Sequence, residues 1–308
     1  MSNNAQKHES LPNAIHWGFD LFHKHPLNPI LLPQEVSWES HAVFNPAAWT
    51  DKKKVYLLYR AEGPLHSPHS SLTSRVGLAV SSDGIHFERE FTPILEPTEP
   101  YELPGGCEDP RLVRVDGTFY MTYTAYDGKT ARIAMAVSHD LYSWRKQGLL
   151  FPELGWTKSA AMLDQPINGF YWMYFGDTHI WAAYSKDLDH WTIVDEPVLS
   201  PRQHSFDSRL VEPGPPPLIT ARGILLIYNS ADDNLRYSMG QSLFDLNNPT
   251  QMIRRTSHPI LEPTEVMEKE GQVPNVVFTE GLVEFNGRWF LYYGMADSCI
   301  GVAISDWL

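Results

Sequence analysis

The chain has 308 residues, of which 43% are hydrophobic and 20% charged, and a net charge of −13. That composition can bury a sizeable core, which excludes a disordered chain; the acidic balance excludes a general binder of nucleic acid or anionic membrane, since both need a basic footprint. Cys107 and Cys299 lie far apart without ligand spacing, and the 13 histidines form no zinc motif, so neither a metal nor a cofactor is expected.

The first stretch, MSNNAQKHESLPNAIHWGF, lacks the apolar centre of a signal peptide, and no bilayer-length apolar run follows, so a cytoplasmic location is the default expectation. Roughly the first 15 residues read as an arm or disordered segment. From there the chain repeats itself. Short aromatic strands occur at VYLLYRAEG (55–63), TFYMTYTAYDG (118–128), FYWMYFGD (170–177), ILLIYNSAD (224–232) and WFLYYGMAD (289–297). Each is followed by a small-residue strand and a Ser/Asp turn, as in RVGLAVSSDG (75–84) and ARIAMAVSHD (131–140). Their central tyrosines, Tyr59, Tyr123, Tyr174, Tyr228 and Tyr293, stand 51 to 65 residues apart. Strand-length runs, frequent turns, a long period and no sustained helical periodicity predict an all-β, five-bladed β-propeller forming one domain over 1–308. The last copy lacks an outer strand, which the segment around 15–45 is expected to supply.

A propeller gathers its functional residues at one mouth of the central channel, from equivalent points of several blades. The segments that precede the aromatic strands fit this. FNPAAW (44–49), GGCEDPRLV (105–113), WTKSAAML (156–163), RLVEPGPPPLI (209–219) and VVFTEGLVEF (276–285) place Asp109, Lys158, Glu212 and Glu280 where channel-lining strands should run. Buried charge needs a reason. Two carboxylates across a pocket are the equipment of glycoside hydrolysis, one protonated to donate and one ionised to activate water. Asp109, beside Glu108 and near another acid, is the candidate donor, its pKa raised by burial and like charge. Pro110 biases residue 109 toward extended backbone, and Arg111 is placed to hold a carboxylate by a forked contact. Arg75, Asp177 and Tyr237 join Lys158 as further candidates for the pocket wall. Trp17, Trp38 and Trp49 read as ring-closing or sugar-stacking residues, and the 62–74 and 262–275 loops as lids.

FNPAAW, YLLYRAEG, GGCEDPR, YTAYDG, the GPPP run, PNVVFTEG and YYGMAD, in this order across about residues 28–304, resemble glycoside hydrolase family 130. The resemblance implies a five-bladed propeller that acts on β-mannosides with inversion, using water or inorganic phosphate. It implies Asp109 as proton donor, through a relaying sugar hydroxyl in phosphorylases, and Asn45, Arg60 and Asp297 as ligands of the −1 mannose. It also implies a lysine before the Gly-Pro-Pro run and a histidine after the next strand in phosphorylases. Leu210 and Asn229 stand there instead, and Glu212 and Glu280 lie nearby. One such anion about 4 Å from a phosphate charge costs roughly 4 kcal/mol at an effective dielectric of about 20. The expectation is therefore an inverting exo-β-1,2-mannosidase, with Glu212 and Glu280 both candidates for the base. A mannoside phosphorylase and a non-catalytic carbohydrate-binding propeller are the alternatives. The expected partner is a small carbohydrate; the sequence leaves oligomeric state open, a homo-oligomer included.

Overall fold

The computed structural model describes residues 17–66 and 71–305; the expected N-terminal arm, part of the 62–74 loop and the last residues lie outside that range. The fold is all-β. Helix is confined to single turns: 3-10 helices at Ser37–Glu39 and Pro100–Glu102 and the four-residue helix α1 (Val266–Lys269). No helix among the described residues is long and apolar enough to cross a membrane.

The short strand β1 (His23–Lys24) comes first, and five antiparallel units follow. Unit one holds β2 (Ala42–Thr50), β3 (Val55–Pro64), β4 (Leu72–Ser81) and β5 (Glu88–Arg89). Unit two holds β6 (Gly106–Val115), β7 (Thr118–Tyr126), β8 (Ala131–Ser138) and β9 (Arg145–Leu149). Unit three is smaller: β10 (Ala161–Met162), β11 (Tyr171–Phe175), β12 (Trp181–Ser185) and β13 (Thr192–Ile193). Unit four holds β14 (Leu210–Pro213), β15 (Leu218–Thr220), β16 (Gly223–Ala231), β17 (Tyr237–Phe244) and β18 (Met252–Arg255). Unit five holds β19 (Val277–Phe285), β20 (Arg288–Met295) and β21 (Cys299–Ser305). The Gly-Pro-Pro run splits the first strand of unit four into β14 and β15, because prolines cannot donate to the ladder. Single parallel bridges, Ser74 to Gly106 and Glu280 to Ala47, join units two and five to unit one.

The first repeat signal has a physical basis. Ser81, Ser138 and Ser185 each bond Asp83, Asp140 or Asp187 two residues on, and these aspartates accept backbone N–H groups to close the turns. The second signal, the central tyrosine, anchors a buried lock. Tyr59 donates to Glu39, Tyr123 to Glu102, Tyr228 to Asp207 and Tyr293 to Glu268, at 2.7 to 2.9 Å. A base from the unit's outer strand completes each: Arg89, Lys146, Arg255 and Lys24 respectively. Lys24 can do this for unit five because β1 pairs with β21, so the N-terminal segment supplies the outer strand there. Trp38 packs over Tyr59 and Trp49 against Phe119, which makes both core residues and not sugar platforms.

The hydrophobic core is divided into five clusters, each between two units. Leu58 and Val76 meet Met121 between units one and two; Met135 meets Met173 between two and three. Tyr174 meets Leu226 between three and four, and Leu225 meets Leu291 between four and five. The fifth cluster lies between units five and one, where Tyr292 and Val302 meet Leu57. Each fully buried aliphatic or aromatic side chain adds about 1.5–3 kcal/mol, so every unit depends on both neighbours.

Candidate active site

Three first strands carry an irregularity at matching points. Pairing slips between Phe44 and Pro46, between Glu108 and Arg111, and between Thr279 and Gly281. The residues left over include Asn45, Asp109 and Glu280. An extra residue in one strand bends it and re-aims the side chain. Asn45 and Asp109 take left-handed backbone, with φ of 45° and 53°, which short polar side chains tolerate best. The extended conformation expected at Asp109 from Pro110 is therefore not adopted; the bulge overrides it. Glycine makes room beside them: a Cβ at Gly294 would sit 2.3 Å from Asn45 Oδ1.

These side chains converge with others. Asn45 Nδ2 donates to Asp109 Oδ1 at 3.0 Å, and Arg60 Nη1 reaches the same oxygen at 3.1 Å. Arg60 Nη2 bonds Glu62 at 2.6 Å and Glu108 at 3.0 Å, and its Nε donates to Ser74 at 3.0 Å. Lys158 Nζ lies 3.9 Å from Asp109 Oδ2. Ser159 Oγ donates to Glu212 Oε1 at 2.6 Å. Arg111 holds no carboxylate by a fork, contrary to expectation. Its Nε and Nη2 go to the carbonyls of Gly214 and Pro213, which ties unit two to the Gly-Pro-Pro run, and only Nη1 lies 3.1 Å from Glu280 Oε1. That contact is an ion pair without hydrogen-bond geometry, so both Glu280 oxygens are buried without a hydrogen bond; so is Asn45 Oδ1.

The electrostatics correct the sequence reading of Asp109. Burial would raise its pKa, but Arg60, Lys158, the Asn45 amide and Arg111 outweigh it and hold the carboxyl at about 2. The other acids go the other way. Burial lifts Glu212 against Lys158 and Ser159, and lifts Glu280 well above the carboxylate range against Arg111. Burial also raises Glu108 against Arg60, and pushes Asp297 up to about 7 against Arg60. Lys158 is raised: its burial is outweighed by Asp109 and Glu212. Asp109 is therefore the ionised group, and Glu212 and Glu280 hold protons more readily than free carboxyls. This reverses the charge states that a donor Asp109 and a basic glutamate require.

Of the residues expected at the site, Asn45, Arg60, Glu108, Asp109, Arg111, Lys158, Glu212 and Glu280 are brought together. Asp297 and Tyr237 belong to the same charged neighbourhood: Arg60 and Asp109 act on Asp297, while burial raises Tyr237 and Glu212 and Asp297 add to the shift. Arg75 does not join; its guanidinium faces the carbonyls of Thr73, Pro64 and Leu65. Asp177 lies apart, bonded to Trp156. The 262–275 segment is not a free lid, since it contains α1 and the lock residue Glu268, and Gln272 bonds Glu62 at 3.2 Å and the Asp297 carbonyl at 2.6 Å. Sequence reasoning missed Glu62, Ser159 and Gln272. Glu62 was readable, because it lies two positions after Arg60 and so on the same strand face. Asn229 bonds both the carbonyl and the N–H of Thr279, fixing the backbone next to Glu280. No group of three or more His, Cys, Asp or Glu among the described residues could hold a metal ion.

An all-β molecule with clustered buried carboxyls and bases fits a carbohydrate-active enzyme. Residues 25–307 match the family model described as beta-1,4-mannooligosaccharide phosphorylase, and the chain belongs to glycoside hydrolase family 130. It is 42% identical over 285 residues to a 1,2-beta-oligomannan phosphorylase of Thermoanaerobacter sp. (strain X514), covering 90% of this chain and 95% of that protein. A beta-1,2-mannobiose phosphorylase of the same organism is 40% identical over 290 residues, with the same coverage. Among solved structures, one reported under "The GH130 family of mannoside phosphorylases contains glycoside hydrolases that target beta-1,2 mannosidic linkages in Candida mannan" superposes with a TM-score of 0.89. It is 38% identical and covers 96% of each chain. The curated relatives thus back the phosphorylase alternative better than the hydrolase expected from Leu210 and Asn229.

Proposed function

We propose that this protein cleaves β-1,2-mannosidic bonds, releasing the terminal mannose with inversion, and that its five units are the blades of a single propeller domain. Five inter-unit clusters, the last between units five and one, support the propeller. The observation that carries the activity is the buried carboxyl cluster itself: Asn45, Asp109, Glu212 and Glu280 arrive from four units, and Glu280 and Asn45 keep buried polar atoms without hydrogen bonds. A preformed set of unmet polar atoms suits a polyhydroxylated ligand. Asn45, Arg60 and Asp297 fit the −1 sugar, and Asp109 handles the proton. Arg60 and Lys158 hold Asp109 ionised, so it takes up a proton from solvent before it can donate one.

Two acceptors are open to this site, each with its own support. The relatives at 42% and 40% identity favour inorganic phosphate. The chain's own residues favour water: Leu210 and Asn229 supply no cation, Asn229 is committed to Thr279, and Glu212 and Glu280 stand close by. Both carboxyls have raised pKa values, which narrows the difference. Protonated, they repel no phosphate and can donate to its oxygens; ionised, one of them takes a proton from water. The test is incubation with β-1,2-mannobiose, with and without phosphate, and identification of products by NMR. Free α-mannose in phosphate-free buffer assigns water as acceptor. Mannose 1-phosphate formed only when phosphate is present assigns phosphorolysis. No product from any β-mannoside would leave a carbohydrate-binding propeller.

A further inference from the structure

Unit three departs from the other four. Tyr174 occupies the lock position, but its hydroxyl donates to the Pro249 carbonyl of unit four at 2.7 Å, and no acid or base joins it. Where the other units bring a buried acid ahead of the first strand, unit three has the segment 153–156, largely at the surface. Trp156 in that segment is 51% exposed. Its indole N–H donates to Asp177 Oδ2 at 2.6 Å, which fixes the ring plane. Between this segment and the β11–β12 turn lies a cleft of about 320 Å³, walled by Leu154, Trp156, Lys158, Phe175, Asp177 and Trp181. The turn is rigid. Gly176 has φ of +125°, and a Cβ there would meet the His179 carbonyl at 2.1 Å. The cleft shares a wall with the pocket, because Lys158 lines it and also lies 3.9 Å from Asp109.

We propose that this cleft is a second sugar subsite, taking a further ring of an oligomannoside whose terminal bond lies at Asp109. The inference rests on the reading that the substrate is an oligomannoside. A pyranose has an apolar C–H face and a polar rim. The cleft offers the complement: an indole anchored at its edge by Asp177, apolar walls, and the Asp177 Oδ1, which bonds no other group among the described residues. Its volume falls at the lower end of small-ligand pockets, about 300–1,000 Å³, as one ring of a longer chain needs. Half-exposing a tryptophan forgoes burial that the fold could have used, and a ring fixed by its own N–H acceptor is preorganised for stacking.

The subsite predicts that affinity grows with chain length through Trp156. Titration calorimetry of Asp109→Asn, which prevents cleavage, is expected to show β-1,2-mannotriose or mannotetraose binding about tenfold more tightly than mannobiose. Trp156→Ala in that background is expected to reduce this gain to below about twofold, while Trp156→Phe keeps most of it. The position is exposed, so circular dichroism should show both variants folded. A length gain that is the same with and without the indole overturns the subsite, as does binding of no mannoside at all. Parallel titration with β-1,4-linked chains separates the two readings. Trp156-dependent gain on those chains alone leaves the subsite standing and overturns the β-1,2 assignment. Cleavage of mannobiose with no chain sensing Trp156 does the opposite.

Discussion

The molecule buries acids in its locks and in its pocket, and the surroundings of Glu102 and Glu280 have opposite effects. Glu102 in a lock is fully buried, yet Lys146, Tyr123 and the backbone N–H groups of Thr98 and Glu99 outweigh burial and lower its pKa. Asp207 is lowered likewise by Arg202, Arg255 and Tyr228. Glu280 in the pocket is as deeply buried, with one ion pair and no hydrogen bond, and its pKa rises. Each lock acid accepts hydrogen bonds from the protein. Glu280 accepts none, and what answers it must come from outside. The same residue type thus reports holding in one place and readiness to bind in the other.

The largest effect that tests this division is on chemistry. Asp109→Asn should lower kcat by about 10³-fold or more while sugar binding persists, since an amide keeps the hydrogen bonds but cannot exchange the proton. Unchanged turnover would remove Asp109 from the reaction. Next come the locks. Glu102→Ala strands Tyr123 and Lys146 and should cost about 3–5 kcal/mol in denaturant unfolding. Glu280→Gln removes a carboxyl that the fold leaves unmet, so it should stabilise by about 1 kcal/mol while activity falls. Equal losses in the two variants would erase the distinction between the sets.

The acid dependence of stability should carry the same contrast in sign. Glu102 has a lowered folded pKa, so its contribution is present above the unfolded carboxylate value of about 4.3 and is lost as pH falls through the folded one. Asp297 is raised to about 7, so the folded state holds a proton that the unfolded state releases, and stability declines as pH rises from about 4 to about 7. Asp297→Asn should flatten that decline and Glu102→Gln the acid limb, both measured by thermal melts across pH. Removal of single hydroxyls distinguishes unit three. Tyr123→Phe removes a bond to a charged acid, worth about 1.5–3 kcal/mol, and Tyr174→Phe a neutral bond to a carbonyl, worth about 1 kcal/mol.

The sequence carried the repeat because the repeat is written in local chemistry: tyrosines at one spacing and Ser-x-Asp turns that must recur. It also placed Asp109, Lys158, Glu212 and Glu280 together, since equivalent points of equivalent units have nowhere else to go, while Asn45 and Arg60 entered through the family resemblance. What it could not carry depends on distant partners. The left-handed Asp109 follows from a pairing slip between β6 and β7, although Pro110 argues locally for extended backbone. The pKa of Asp109 turns on Arg60 and Lys158 from other units, and Arg111 is drawn off by carbonyls some 100 residues away. Trp38 and Trp49 looked like sugar platforms by type alone, while Trp156, two residues before Lys158, is the one exposed tryptophan among the described residues.

The union of Lys24 with Glu268 has a consequence for synthesis. The partners are 244 residues apart, and β1 can pair only after β21 exists. During translation the middle units can assemble one upon another as they emerge, but unit five stays open until nearly the whole chain has left the ribosome. The closing step joins the most distant contacts in the molecule, whose loop-closure entropy makes them the slowest to form. A nascent chain halted before β21 should therefore show protease-resistant middle units and a cleavable N-terminal segment.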